Sequence, residues 1–506
     1  MKRLIITSII VWSTFCFAGS SLYANYAAAQ AAKAKGDFVS SSALFYKSYV
    51  FPKNRSEKMK SEYGLAESLH RLGLLYSASK YYSGIVSRGP AGNPFYRSAL
   101  EGLGDINSTV NLGQAHIVKL LKREVNSAYI PGGARGFYFY YQGVEAFNND
   151  KYAQAAKNFT KVPAGSPYFY KALFHMGVIA NLSGRQSKAL SYFERVLSAG
   201  SISREMREAT IMNIARVYYE SRQYEKAIRY YGKIPRDSDS WLDALWEASW
   251  AFFLIKKHNN TLGNIHTIHS PFFINRFYPE TYILQAITFL KLCMYDEVKA
   301  SLRGSRDRYK PVFAELKALL SKYKGRPKDF FKLLYDYKTD QLNSYRNVAS
   351  ILDKLSRTDA YKEAMDTIRF SDKELARLST FSNRWKTTGI YKEVKNFLNS
   401  KKALARKDAG TRLFKVARSQ YSYLDELSGQ TAMIQAEMLE GKINVLRGRA
   451  NIKQASSKTK FVGGMQELSV GMNLEYWPFE GEYWEDELGG YVYNLESKCK
   501  SEKQVR

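Results

Sequence analysis

Small and aromatic residues recur along this chain on a fixed frame. Gly143, Ala155 and Phe159 stand 12 and 4 residues apart, and the same frame returns 34 residues later as Gly177, Ala189 and Phe193. It returns once more as Ala215, Ala227 and Tyr231. Two small residues and one aromatic at constant steps predict a stack of helical hairpins. The small residues let the two helices of a hairpin approach, the aromatic fills the groove between hairpins, and no hairpin buries its apolar face alone. The fold class this predicts is all-α, a ruler or cradle that argues for binding before catalysis.

The frame extends both ways. Upstream, Ala66, Ala78 and Tyr82 keep the steps, with Pro90 closing the unit; downstream, Ala286, Val298 and Leu302 keep them, closed by Pro311. Ala248 opens a unit whose turn, Lys256-Lys257-His258-Asn259-Asn260, reads as longer and whose second helix reads as irregular. Gly36-Asp37-Phe38, with Phe45 and Pro52, reads as a first unit. The segment Tyr96 to Val125 fits poorly, with Lys119 where an aromatic belongs.

This pattern resembles the tetratricopeptide repeat (TPR), which has small residues at its eighth and twentieth places, an aromatic at its twenty-fourth and a proline near its end. Gly143, Ala155, Phe159 and Pro167 hold those places here, with Tyr152 before the second helix. Ser221-Arg222-Gln223-Tyr224-Glu225-Lys226-Ala227 is similar to the family's turn into its second helix. The resemblance covers residues 26–311 and implies a TPR-like α-solenoid that binds extended segments or helices of partner proteins.

After Pro311 the frame fades while helical patterning continues through residues 312–456. Pro327 starts a helix, with Phe330, Leu333, Leu334 and Tyr337 at helical spacing. Ser371-Asp372-Lys373-Glu374 reads as a capping box, placing a helix from there towards Lys402. A longer helix is expected over Thr411 to Ala450. Leu413, Ala417, Gln420, Leu424, Leu427, Thr431, Ile434 and Met438 step along it by 3 and 4 as a coiled-coil seam. Joined through Ala409-Gly410, the two predict a long-helix hairpin; further degenerate repeats are the other reading.

Residues 457–506 form a linker and an acidic, aromatic C-terminal segment. Lys453 to Gly464 is polar, and no Lys or Arg stands between Glu475 and Ser497. Tyr491, Tyr493 and Leu495 alternate as a strand would. An acidic, aromatic end on a basic chain predicts docking back onto the solenoid through Trp477, Phe479, Tyr483 and Trp484, as a cap or a competitor of partners. Cys293 and Cys499 could then form a disulfide in an oxidising compartment; a buried, inert thiol is the other reading of Cys293. The stretch also resembles the closing segment of exported TPR proteins tied to gliding-motility complexes of the envelope, which implies a motility or envelope-assembly setting.

Composition bears on compartment. Met1-Lys2-Arg3, an apolar run from Leu4 to Ala18 and then Gly19, Ser20 and Ser21 read as a secretory signal peptide over residues 1–24. Cys16 inside the run leaves a lipoprotein reading open, although Phe15 precedes it. No other long apolar run occurs, so the mature chain is expected to be periplasmic, soluble or peripherally membrane-associated, with no transmembrane span. The net charge of +29 would point to nucleic acid in a cytosolic protein, but export argues against that partner. The partners expected are other envelope proteins; the alternative is anionic wall polymer or lipid headgroups held through charge.

Catalytic chemistry is hard to assemble. The phosphate-cradling GxxxxGK[ST], GxGxxG and GxSxG motifs are missing, and Gly102-Leu103-Gly104 reads as a helix end. His266 and His269 could share a helix face as metal ligands, but no third ligand stands nearby, so a structural role is preferred. Glu480, Glu482, Glu485 and Asp486 could offer a glycosidase pair, yet a short tail is a poor place to hold two carboxylates at fixed separation. The chain reads as a non-enzyme with no cofactor and no metal.

Overall fold

A computed structural model describes residues 25–339, 345–449, 463–465 and 483–499. The signal-peptide reading, Trp477, Phe479, Glu480 and Glu482 lie outside the described residues. The chain divides into two compact units, one of residues 1–176 with 359–409, the other of 177–358 with 410–506.

The fold is all-α. The first unit opens with α1 (Asn25–Ala34), α2 (Phe38–Val50), α3 (Arg55–Arg71) and α4 (Leu75–Ser87). It continues with α5 (Tyr96–Thr109), α6 (Gln114–Leu120), α7 (Arg135–Asn148), α8 (Tyr152–Phe159) and the start of α9 (Phe169–Leu182). The second unit holds the rest of α9, then α10 (Gln186–Leu197), α11 (Arg204–Glu220), α12 (Tyr224–Tyr231), α13 (Trp241–Leu254) and α14 (His258–Ile268). It goes on through α15 (Glu280–Lys291), α16 (Tyr295–Tyr323), α17 (Pro327–Lys338) and α18 (Ala349–Ser356). The chain returns to the first unit for α19 (Asp359–Ser379), α20 (Asn383–Lys386) and the start of α21 (Gly389–Arg449). Two short strands, β1 (Gly463–Met465) and β2 (Tyr491–Tyr493), pair antiparallel in the second unit.

Except between α5 and α6, where the left-handed Gly113 directly precedes the second helix, each of eight hairpins turns in the same way. The residue two places before its second helix is left-handed: Gly36, Gly73, Asp150, Gly184, Arg222, Lys256, Cys293 and Gly325 have φ between 55° and 76°. In seven of these turns, the backbone N–H of the next residue bonds back to a carbonyl five residues earlier, as Lys151 does to Ala146 at 2.9 Å and Met294 to Phe289 at 2.9 Å. This closure satisfies the last carbonyls of the first helix, and glycine takes the conformation without the strain a side chain adds. The turn at Lys256 is therefore no longer than the others, because α14 begins at His258 and is a regular helix. Gly102 and Gly104 lie inside α5 rather than at a helix end; a Cβ at Gly102 would come within 2.7 Å of the Tyr82 ring.

The framed residues sit where helices cross. Ala155, Ala189 and Ala227 are fully buried, as is Phe193, with Phe159 and Tyr231 nearly so. A side chain on Gly143 would overlap the Phe159 ring, and one on Gly177 would come within 2.6 Å of Phe193. Glycine here is a packing requirement: the aromatic of the second helix lies directly on the backbone of the first. Ala215 holds the corresponding place opposite Tyr231 and is fully buried.

Pro311 does not close a repeat; it lies within α16, a helix of 29 residues. Proline there forfeits one backbone bond and costs about 3 kcal/mol, which packing along the rest of so long a helix outweighs. The turn expected at Ala409-Gly410 is also absent, since α21 runs unbroken for 61 residues. Gly410 instead lets another backbone approach, because a Cβ there would overlap the Pro327 carbonyl. The predicted seam is buried at Leu413, Ala417, Leu424, Leu427, Ile434 and Met438. It packs on α15 and α16: Leu427, Ile434 and Met438 share a buried cluster with Ile283, Phe289, Val298 and Leu302, and beside the seam Tyr421 stacks on Phe313 at 4.4 Å.

In the first unit, Ser371 to Glu374 lie inside α19 and start no helix. Glu374 caps a different one. Its buried carboxylate accepts from the Tyr76 N–H at 2.5 Å, the Ser77 N–H at 3.2 Å and the Ser77 hydroxyl at 2.7 Å, at the start of α4. Burial raises the pKa of Glu374 against the pull of those donors, and burial lowers that of Lys401 to about 8 while Glu374 opposes it. No described helix is long and apolar enough to cross a membrane.

Candidate functional site: the tail on helix α14

The second unit contains a site built to hold an extended segment, occupied here by residues 483–499 of the same chain. The receiving element is α14, the second helix of its hairpin. Its sequence is small and polar where other second helices carry larger side chains: Thr261, Gly263, Asn264 and Thr267 are all buried. Their polar atoms are satisfied within the unit. The Thr267 hydroxyl bonds to the Gly263 carbonyl at 3.3 Å, and the Asn264 amide donates to the Leu245 carbonyl at 3.3 Å. Gly263 sets the approach distance, since any Cβ would overlap the carbonyl oxygen of Tyr491. Glycine inside a helix costs about 1 kcal/mol against alanine; here it admits a strand to the helix backbone.

The tail runs antiparallel to α14 and is held along its main chain. The Gly489 N–H donates to the Thr267 hydroxyl at 3.0 Å. Asn259 grips Leu495 twice, accepting from its N–H at 3.1 Å and donating to its carbonyl at 3.2 Å. Farther on, the Lys498 N–H donates to the Leu292 carbonyl at 2.9 Å, and its ammonium lies 3.5 Å from Glu297. Arg236 reaches the Asp486 carbonyl at 2.6 Å. These bonds fix path and direction while reading little of the side-chain sequence.

Side chains add the burial. Leu488 and Tyr491 join a cluster with Trp241, Leu242, Ala248 and Ile268, and Tyr493 joins one with Leu262, Phe289 and Val298. Burying a large apolar side chain contributes about 1.5–3 kcal/mol, against about 0.5–1.5 kcal/mol for a typical hydrogen bond, so these three outweigh the backbone bonds. His266 lies among the rings: Tyr483 stacks on it at 4.7 Å, while Tyr491 and Tyr493 meet it edge-on at 4.9 and 5.9 Å. Burial lowers the pKa of His266 to about 4, so the ring is neutral there at neutral pH.

His269 belongs to a different environment. Its Nε2 lies 2.7 Å from the Thr281 hydroxyl and its ring stacks on Tyr282 at 4.1 Å, with burial lowering its pKa to about 3. The two histidines are engaged with aromatic and hydroxyl partners, and among the described residues no cluster of His, Cys, Asp and Glu could hold a metal ion.

Of the tail residues singled out in the sequence, Tyr483 packs on His266, whereas Trp484 is 58% exposed. Trp484 is therefore no anchor: the chain turns at residues 485–490 and presents Leu488 to the core in its place. Cys293 occupies the left-handed turn position between α15 and α16, with φ 55°. It is bonded to Cys499, with the Cα atoms 5.0 Å apart. The receiving residues Asn259, Gly263 and Thr267 were missed; the signal that could have found them is a glycine flanked by small polar residues within a helix.

No protein-family model matches the chain, and no curated protein matches it. Among solved structures, it is similar to a tetratricopeptide repeat protein from Parabacteroides merdae, at 14% identity and a TM-score of 0.31. That likeness covers 49% of this chain and 92% of the other. It is also similar to a thermophilic TPR protein of Thermus thermophilus, at 16% identity and a TM-score of 0.19, over 45% of this chain and 97% of the other. At such scores the likenesses add nothing to what the hairpins themselves show: helical repeats consistent with TPR.

Proposed function

We propose that this protein is a non-catalytic interaction scaffold of the bacterial cell envelope. The observation that carries the reading is the occupied face of α14. An extended segment is held there by an asparagine clamp, a hydroxyl at Thr267 and aromatic burial, the means by which a helical solenoid recognises a peptide. The basic, tyrosine-rich helices suit partners with acidic or aromatic segments.

The basic-apolar-small N-terminus supports export to the periplasm. The cysteine pair fits the same compartment, because disulfides persist in oxidising surroundings. The likeness of the C-terminal stretch to exported TPR proteins supports a place in a motility or envelope-assembly complex. In this reading the tail closes the solenoid as a lid.

The test is affinity capture with the full chain from envelope extract, at low and at high salt. A protein partner retained at high salt is the expected result. Capture of nothing but wall polymer or lipid, released as screening rises, would instead establish a binder of anionic surfaces.

A further inference from the structure

We propose that the groove between α16 and the C-terminal part of α21 docks an acidic amphipathic helix of a partner protein. Residues lining this surface, Leu302, Leu427 and Met438, share a buried cluster with Tyr493 of the tail, and the proposal does not depend on export.

The groove has a volume of about 810 Å³. Leu302, Tyr309, Leu424 and Met438 line it as buried residues of the packed seam, while Phe313 is half-buried and Leu439 is exposed. Along α16 it extends from residue 299 to residue 313, which at 1.5 Å per residue is roughly 21 Å, or about four helical turns. A trough of that length between two helices matches a third helix laid into it, anchored by apolar residues at every third or fourth position.

The rim gives the sign of the partner's charge. Lys299, Arg303, Arg306 and Lys310 all line the groove and recur by steps of 4, 3 and 4, which places them along one edge of α16. Arg306 lies 3.3 Å from its neighbour Asp307, an exposed pair that leaves the edge basic. Among the described residues, Asp425 is the one acidic residue lining the groove. A helix with carboxylates along one flank would pair with this edge, and a basic one would be repelled.

The α21 wall also continues past the groove. Leu439, Ile443 and Leu446 step by 4 and 3 along one helix face and are 50, 47 and 63% exposed. They extend beyond Gly441, which packs against Tyr295 at the first residue of α16. An apolar stripe continuing an apolar groove marks an interaction surface.

The probe is a labelled synthetic helix of about five turns, with leucines along one face and glutamates along one flank. Fluorescence anisotropy with the full chain should show saturable binding. The matching peptide with lysines on that flank should bind at least about tenfold more weakly. Arg303→Glu with Arg306→Glu should weaken the acidic peptide by about tenfold or more, and Leu439→Lys alone should do the same. These side chains are exposed or line the open groove, and circular dichroism confirms folding; if the double variant misfolds, Leu439→Lys decides alone. Bound peptide should slow amide exchange over residues 299–313 and 424–439. Equal binding of the two peptides, or no slowing there, overturns the proposal. Self-association abolished by Leu439→Lys makes a second copy the occupant, and binding of anionic vesicles but not peptide makes it a lipid surface; either result also overturns it.

Discussion

Helices α12 and α14 are the second helices of adjacent hairpins, entered by the same left-handed turn, yet they are buried very differently. Of its eight residues α12 buries Ala227 and Tyr231; α14 buries eight of its eleven. The difference lies in what covers each outer face. On α12 the small and aromatic residues face inward to their own hairpin. On α14 a second face is built to the same rule and turned outward, with Gly263 admitting a strand as Gly177 admits the ring of Phe193. One device, a side chain removed so that another group can reach the backbone, thus serves internal packing in one place and recognition in the other.

The comparison breaks hardest at the aromatic. Phe193→Ala should cost the second unit about 3–5 kcal/mol, because a fully buried ring leaves a cavity. Thermal denaturation measures it, and a melting point equal to the parent's would mean the frame is misassigned. Ala189→Leu, at an equally buried position, should cost about 1–3 kcal/mol through overpacking.

Gly263→Val should separate recognition from packing. Its side chain meets the Tyr491 carbonyl, so the tail should detach while α13 and α14 stay folded. Under reducing conditions, trypsin should then cut at Lys498 at least about tenfold faster, with the rest of the unit as resistant as before. Loss of resistance throughout would show that Gly263 serves the hairpin itself.

Acid should loosen the same site. The unfolded chain protonates His266 near pH 6.5, whereas burial holds the folded value near 4. Above about pH 6.5 neither state takes the proton and this contribution to stability is fully present. As pH falls from there towards about 4 it is lost, at up to about 1.4 kcal/mol per pH unit. His266→Phe should flatten that slope in urea titrations at a series of pH values; an unchanged slope would assign it to other groups. The smallest effect belongs to Trp484→Ala, which should shift stability by no more than about 0.5 kcal/mol, since the ring is mostly exposed.

Much of the hairpin stack was legible because its signal is local. A frame of 12 and 4 constrains residues within one hairpin, and Gly143, Ala155 and Phe159 report it directly. The turns were only half legible: glycine at 36, 73 and 184 announces a left-handed residue, but Asp150, Arg222, Lys256 and Cys293 adopt it under tertiary constraint. Gly410 and Pro311 misled for a related reason, since each reads as a break by local propensity, while long-range packing holds the helix through both. Glu374 was recognised as a capping residue but matched to the wrong helix, because its target lies 297 residues away. The receiving face on α14 was not read at all: a small residue inside a helix does not say which group will lie against it.

The bond between Cys293 and Cys499 has a mechanical meaning. It joins residues 206 apart in sequence and so turns that stretch of chain into a covalent loop. While it is closed, tension applied at Cys499 passes directly into the turn between α15 and α16, and the loop itself bears none. The strand on α14, the long helix α21 and their hydrogen bonds are then bypassed by the load. Reduction would reroute the same pull through β2 and the Asn259 clamp.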